Sequence, residues 1–218
     1  MLKATFQLER WEGDFGKEYT DRNALSPDGL EKLYKDHYGI TRTELNNLFL
    51  QGMERSLRIL EVGSNVGNQL LCLQKMGFNN LYGIEPQDYA VELSKRRTEH
   101  INIIRGSAFD IPFKDGYFDL VFTSGVLIHI NPKDIGRALR EISRCSNKYI
   151  WGLEYYAEKY EEIVYRGEKN LLWKTDFAKL YQETLPAFEL VKEQKFKYLS
   201  NDKITTGFLL KKKDKPEI

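Results

Sequence analysis

The sequence predicts an α/β protein with a doubly wound, mostly parallel sheet of seven strands and an antiparallel strand at its C-terminal end. Between residues 57 and 153, short apolar runs alternate with segments of helical periodicity. Strands separated by helices pair in parallel through right-handed crossovers. The last two strand-like runs, 188–198 and 204–211, are joined by a connection too short for a helix. These two strands are therefore expected to be antiparallel.

The individual elements follow from local patterns. The predicted strands before residue 188 are 57–62, 81–85, 101–104, 118–123 and 149–153. The predicted helices between them are 66–76, 87–98 and one that Asn131-Pro132 opens. Gly77 is the expected stop of the first of these helices, because glycine readily adopts the left-handed conformation that ends a helix. Thr175 or Asp176 is expected to cap a further helix.

Residues 1–52 lack this alternation and predict a helical cap. Ser26-Pro27 can begin a helix, with the serine as cap and the proline in the first turn. Thr41 and Glu44 have the spacing of a capping box, and Leu45, Leu48 and Phe49 follow at helical spacing. We predict two or three helices here. They cover a domain that spans 53–213, and the two parts form one compact unit.

Composition excludes several classes of protein. Lys plus Arg (33) nearly cancels Asp plus Glu (32), so a general nucleic-acid binder is not expected. No apolar run reaches the length of a membrane span, and no secretion signal is recognisable at the N-terminus. The two cysteines, Cys72 and Cys145, fit a reducing compartment. We therefore expect a cytoplasmic protein. We also expect that it needs no metal, because the sequence has no cluster of His, Cys and carboxylate residues at the spacing of metal ligands.

A glycine loop carries the strongest functional signal. The segment Glu61-Val-Gly63-Ser64-Asn65-Val-Gly67-Asn68 lies where the first predicted strand passes into the first helix. Glycines there permit a tight turn and close approach of a ligand to free N–H groups. A plain tight turn is the alternative. Glu85 favours the ligand, because an acid at the end of the second strand accepts hydrogen bonds from ribose hydroxyls.

The loop also indicates the kind of adenosine ligand. Dinucleotide enzymes use G-x-G-x-x-G to hold a pyrophosphate, but Asn65 stands where the second glycine would be. The pattern E-x-G-x-x-x-G suits a ligand without phosphates and with an amino-acid end. Glu61 would attract its ammonium group, and backbone N–H groups near Gly63 would take its carboxylate.

These motifs resemble those of class I S-adenosylmethionine-dependent methyltransferases. The resemblance rests on the loop 61–67, Glu85, the segment 106–113 and the strand 118–123, and it spans about residues 55–211. It implies a Rossmann-like fold and S-adenosylmethionine as cofactor. The segments 11–23 and 173–177 further resemble the methyltransferases associated with pseudaminic acid biosynthesis. That narrower resemblance implies a small, sugar-like acceptor such as a nonulosonic acid or a related sugar intermediate.

The resemblance also implies site residues. Glu61, Gly63, Ser64, Asn65, Gly67 and Asn68 would hold the methionine part, and Glu85 the ribose. Pro86, Gln87, Ser107, Ala108 and Phe109 would lie against the adenosine, whereas Asp110 could equally cap the following turn. Thr123, Ser124, Gly125 and Val126, where the fourth strand ends, would line the methionine side of the pocket near the reactive methyl group.

Several residues have two open interpretations. His129 is either a general base for the acceptor or a residue packed under the next helix start. Tyr19, Arg22 and Asn23 either contact cofactor or substrate from a helical lid or serve helix packing. Glu154 and Tyr155 either contact the acceptor or lie at the rim. A nicotinamide-dependent oxidoreductase and a non-catalytic cofactor-binding module remain as competing functions.

Overall fold

A computed structural model describes residues 4–214, which begin with four helices. They are α1 (Phe6–Glu12), α2 (Asp14–Asn23), α3 (Pro27–Tyr38) and α4 (Arg42–Leu50). The Ser26 hydroxyl accepts from the Gly29 N–H at the start of α3, and Thr41 and Glu44 form both bonds of a capping box at α4. Two or three helices were expected. The fourth arises because Gly13, in an extended conformation, ends α1 and begins α2.

The remaining chain forms the predicted sheet with helices on both faces. Its strands are β1 (Arg58–Val62), β2 (Asn80–Glu85), β3 (Ile101–Arg105), β4 (Phe118–Ser124), β5 (Ser146–Tyr155), β8 (Phe188–Lys197) and β9 (Ile204–Lys212). The helices are α5 (Asn68–Lys75), α6 (Asp88–Arg97), α7 (Ile135–Cys145) and α8 (Phe177–Thr184). A small ribbon of β6 (Glu161–Glu162) and β7 (Trp173–Lys174), which the sequence did not predict, precedes α8.

The strand order confirms the predicted fold class. The seven strands run β3-β2-β1-β4-β5-β9-β8. Pairings among β1 to β5 are parallel, whereas β9 is antiparallel to both β5 and β8. The order reverses direction between β1 and β4, so a crevice opens beyond their carboxyl ends. Glu61, Glu85 and Ser124 all lie at or near strand ends on this edge.

Each face of the sheet has its own apolar core. On one face, Leu139 of α7 and Tyr181 of α8 pack with Val121 and Phe208 of the sheet. On the other, residues of α4 and α5 such as Leu45 and Leu70 pack with sheet residues such as Trp151. The helix α4 from the N-terminal section thus shares a core with the sheet. None of the helices among residues 4–214 is long and apolar enough to cross a bilayer.

Candidate cofactor and acceptor site

The glycine loop joins β1 to α5 through three positive φ angles. They are +73° at Gly63, +47° at Asn65 and +83° at Gly67. A Cβ on Gly63 would lie 2.7 Å from a Val126 methyl, so a side chain is excluded there. Gly67 serves another purpose than the one predicted. It is the N-cap of α5 and packs beside Ile103 rather than lining the cleft.

Glu85 is a buried carboxylate whose two oxygens are fixed by backbone groups. The Asn65 N–H donates to Oε2 (2.9 Å) and the Gln87 N–H donates to Oε1 (3.0 Å). Burial nevertheless raises the pKa of Glu85 to about 7. Each carboxylate oxygen can accept more than one hydrogen bond. The group is therefore positioned to accept further bonds from a pair of neighbouring hydroxyls.

Glu61 is a second buried carboxylate in the same cleft. Its Oε2 has no hydrogen-bond partner among the described residues, and burial raises its pKa well above the ordinary value. Glu85 adds to this shift, and the fully buried guanidinium of Arg42 opposes it. Arg42 donates to the hydroxyls of Tyr34 (2.6 Å) and Ser124 (3.2 Å). An unpartnered buried carboxylate oxygen fits a cationic ligand group such as an ammonium.

A cleft of about 1040 Å³, including its open mouth, connects these groups. Most of the predicted site residues line it: Tyr19, Asn23, Glu61, Gly63, Ser64, Asn65, Asn68, Glu85, Pro86, Ser107, Ala108, Phe109, Ser124, Gly125 and His129. The prediction missed the contribution of α1 and the residue before it, because Thr5, Gln7, Leu8 and Trp11 also line the cleft. The only sequence signal for them was Trp11, an aromatic residue among charges.

Gln87 holds the N-terminal helices instead of facing the cleft. Its Nε2 donates to the carbonyl oxygens of Trp11 (3.0 Å) and Gly13 (3.2 Å), and its Oε1 accepts from the Thr20 hydroxyl (3.0 Å). The same hydroxyl accepts from the Asn65 side chain (2.8 Å). The structure thus does not place the Gln87 side chain against the cleft, and it makes this residue the anchor of α1 and α2.

Thr123, Glu154 and Arg22 also lie outside the cleft. Thr123 and Glu154 are each only 1% exposed. Glu154 Oε1 accepts from the Val126 N–H (3.2 Å), and burial raises the pKa of this carboxyl to about 7. The Glu154 side chain therefore stabilises the turn after β4 instead of lying at the mouth of the cleft. Arg22 is exposed and pairs with Glu18 on the surface of α2 (3.5 Å).

His129 ends the short 3-10 turn Leu127–His129 that follows β4. Its Nδ1 lies 2.7 Å from the Leu171 carbonyl oxygen. A carbonyl can only accept, so Nδ1 carries the hydrogen and the neutral ring keeps a lone pair on Nε2. Burial lowers the pKa of His129 to about 4, which keeps the ring neutral at neutral pH. The rings of Trp11 (4.5 Å between centroids) and Tyr165 (5.3 Å) flank it.

A second cavity, here called the tyrosine chamber, adjoins the cleft. It has a volume of about 1100 Å³ including its mouth. Six tyrosines line it: Tyr19, Tyr34, Tyr38, Tyr155, Tyr165 and Tyr198. Both cavities are lined by Ser124, Gly125 and His129. Gly125 has a φ of +68°, and among residues 4–214 no atom outside Gly125 and its two chain neighbours lies within 4 Å of the point that a Cβ would occupy, so the backbone is open where the two cavities meet.

The chain is similar in sequence to known methyltransferases. Residues 60–148 match the family model described as a methyltransferase domain. An uncharacterized methyltransferase from Alkaliphilus oremlandii is 29% identical over 116 residues, which cover 51% of this chain and 53% of that protein. Another from Anoxybacillus flavithermus is 25% identical over 169 residues, covering 74% and 77%. The chain thus spans about half the length of the first of these relatives.

A solved structure shares the fold over nearly the whole chain. It is the Burkholderia thailandensis 1,6-didemethyltoxoflavin-N1-methyltransferase with bound 1,6-didemethyltoxoflavin and S-adenosylhomocysteine. The TM-score is 0.66 at 13% identity, covering 98% of this chain and 94% of that one. The unpartnered Glu61 oxygen and the Glu85 carboxylate fit the ammonium and ribose groups of such a ligand. Residues 60–148 of the chain thus match a methyltransferase domain, and the chain shares its fold with a methyltransferase that binds S-adenosylhomocysteine.

Proposed function

We propose that the protein transfers a methyl group from S-adenosylmethionine to a small acceptor held in the tyrosine chamber. The observation that carries this proposal is that the cleft and the chamber meet at Ser124, Gly125 and His129. When bound, the cofactor supplies a methyl group on a sulfonium sulfur. Because that sulfur is positively charged, it is already activated as the leaving group. The protein's main contribution is then to hold acceptor and methyl group in line.

Each part of the cleft has a role in this proposal. Glu61 binds the ammonium group and Glu85 the two ribose hydroxyls. Ser107, Ala108 and Phe109, with Pro86, enclose the adenine. Helices α1 and α2 form a lid over the cleft, because Leu8, Trp11 and Tyr19 line it from the N-terminal side. A lid of this kind excludes water and completes the acceptor pocket.

His129 is proposed as the base for an acceptor that must lose a proton. The Leu171 carbonyl fixes the ring, so Nε2 is the nitrogen available to accept. With its low pKa the ring is neutral before the reaction, and it would take the acceptor's hydroxyl proton as the oxygen–carbon bond forms and the methyl carbon–sulfur bond breaks. Packing of His129 between Trp11 and Tyr165 is the alternative role, and a carboxylate acceptor would need no base.

The acceptor we propose is a nonulosonic acid or a related sugar intermediate. The support is the resemblance of residues 11–23 and 173–177 to methyltransferases associated with pseudaminic acid biosynthesis. The hydroxyls of the tyrosine chamber, Tyr155 among them, suit a hydroxylated ligand. Another small metabolite is the alternative. Two buried free cysteines agree with a cytoplasmic location, which is part of the same proposal.

The test is to incubate the protein with a metabolite extract and S-adenosylmethionine carrying a labelled methyl group. We expect S-adenosylhomocysteine to form and one metabolite to gain one labelled methyl, as seen by mass spectrometry. The variant His129→Gln should bind S-adenosylhomocysteine but form little product. Cofactor binding without any methylated product would favour a binding module, and a thermal shift with NADH alone would favour an oxidoreductase.

A further inference from the structure

We propose that the acceptor is an anion and that Arg166, at the mouth of the tyrosine chamber, recognises its negative charge. The inference rests on the proposed function and adds the charge class of the acceptor and the residue that selects it. Two features of the chamber support it: the residues that line the chamber, and the position of the Arg166 guanidinium.

Among residues 4–214, no carboxylate lines the tyrosine chamber. Its 21 residues include Arg166, His37 and His129 but neither Asp nor Glu. The whole chain has 32 acids among 218 residues, so a surface of this size would be expected to carry about three by composition alone. A wall without acids and with a cation favours an anionic ligand and disfavours an ammonium-bearing one.

A tight turn presents Arg166 at this wall. The turn joins Tyr165 to Glu168, which form an isolated antiparallel bridge. Arg166 and Gly167 at its tip both have positive φ angles, +51° and +84°. This backbone conformation is the one that two-residue hairpin turns use. The turn therefore fixes the position of the Arg166 backbone, from which the exposed side chain extends.

The Arg166 guanidinium has no acidic partner among residues 4–214. It forms none of the ion pairs there, and its closest aromatic contact is the Tyr165 ring at 6.0 Å from the centroid. The nearby Glu168 is instead paired with Arg10 of α1. Arg166 is consequently a free cation at a cavity mouth, where a charge-assisted bond to carboxylate or phosphate can form.

The interior of the chamber supplies neutral donors to the same ligand. Burial raises the pKa of Tyr38 to about 12 and raises those of Tyr155 and Tyr198 further. These hydroxyls therefore stay protonated at neutral pH and can donate. The Tyr38 hydroxyl lies 3.0 Å from the Thr205 hydroxyl. An anionic group near Arg166 and hydroxyl groups further in would both find partners.

The experiment separates the acceptor by charge before the reaction. A small-metabolite extract of the organism that encodes the protein is split by anion exchange into a retained and an unretained fraction. Each is incubated with the full chain and methyl-labelled S-adenosylmethionine. Part of the retained fraction is first treated with alkaline phosphatase. Loss of labelling after this treatment identifies a phosphate monoester as the anion, and persistence indicates a carboxylate or another anion that the phosphatase does not remove.

Variants test the residue itself. Arg166→Asn removes the charge and suits a left-handed backbone, Arg166→Lys keeps the charge, and Arg96→Asn removes an exposed arginine of α6 as a matched control. With the retained fraction, we expect kcat/KM to fall about 10- to 100-fold in Arg166→Asn. The fall should be smaller in Arg166→Lys and absent in the control. Affinity for S-adenosylhomocysteine should be the same in all four proteins.

The possible results are distinct. Labelling confined to the unretained fraction would overturn the anionic acceptor while leaving the proposed methyl transfer intact. Labelling of the retained fraction that Arg166→Asn leaves unchanged would overturn the role of Arg166. No labelled product from either fraction, despite S-adenosylhomocysteine binding, would overturn the proposed function together with this inference.

Discussion

Replacing Glu85 with Gln should make the stability of the free protein less sensitive to pH and should weaken cofactor binding. Folding raises the pKa of Glu85 from 4.5 to about 7, because burial disfavours the charged form. As pH rises between these two values, the Glu85 carboxyl loses its proton in the unfolded chain but keeps it in the folded protein. The wild-type protein therefore loses stability as pH rises from 4.5 to 7, and the loss is complete above pH 7. A glutamine cannot ionise and avoids this loss.

The magnitude follows from the size of the shift. A shift from 4.5 to about 7 corresponds to about 3 kcal/mol of unfolding free energy. Glutamine also has one acceptor oxygen fewer, so either the Asn65 or the Gln87 N–H loses its partner, which costs about 1–3 kcal/mol at every pH. The variant should thus be less stable than wild type at pH 5. Between pH 5 and pH 8 the difference should move in its favour by about 2–3 kcal/mol.

Urea unfolding followed by tryptophan fluorescence at both pH values measures this change. Glu99→Gln, at an exposed position, is the control and should show the same stability difference at both. Calorimetry with S-adenosylhomocysteine at pH 8 should show Glu85→Gln binding about 1–3 kcal/mol more weakly. A stability difference that does not vary with pH would refute the argument from burial, and unchanged affinity would refute the ribose assignment.

Three further predictions concern other parts of the molecule. His129→Ala should slow turnover far more than it weakens S-adenosylhomocysteine binding, and full activity at neutral pH would exclude it as the base. Gly152→Ala should destabilise the fold by about 1–3 kcal/mol, because its Cβ would overlap the Phe208 ring; Gly136→Ala, in the first turn of α7, should instead stabilise it in thermal unfolding, by less than the roughly 0.5–1 kcal/mol that applies to the middle of a helix. Gln87→Met should speed hydrogen exchange in α1 and α2 but not in α4. Exchange in α1 and α2 that is as slow as in the wild type would contradict the role of Gln87 as their anchor.

The sheet could be predicted from the sequence because its signals are local. Apolar runs, the capping box at Thr41 and the glycine loop at 61–67 each depend on neighbours within a few residues. The strand ends then place Glu61 and Glu85 at one edge by topology alone. For this reason the predicted fold class agrees with the structure, and both carboxylates line the cleft. The fourth N-terminal helix and the ribbon of β6 and β7 were not predicted.

Side-chain directions could not be predicted, because they depend on contacts far apart in the chain. Gln87 turns away from the cleft to hold the Trp11 carbonyl, which is 76 residues earlier. Glu154 lies near the carboxyl end of β5, but its side chain turns inward to the Val126 N–H. The part that α1 plays in the cleft depends on how four helices dock on the sheet. Periodicity within a helix contains no information about such docking.

Gln87 links the carboxylate at the end of β2 directly to the N-terminal helices. The backbone N–H of Gln87 steadies the carboxylate proposed to grip the pentose, while its side chain fastens α1 and α2. If a ligand at Glu85 favours the docked state of α1 and α2 by a given free energy, docking of these helices favours binding of that ligand by the same amount. The bound cofactor and the docked helices α1 and α2 would then stabilise each other, and S-adenosylhomocysteine would dissociate only when these helices undock.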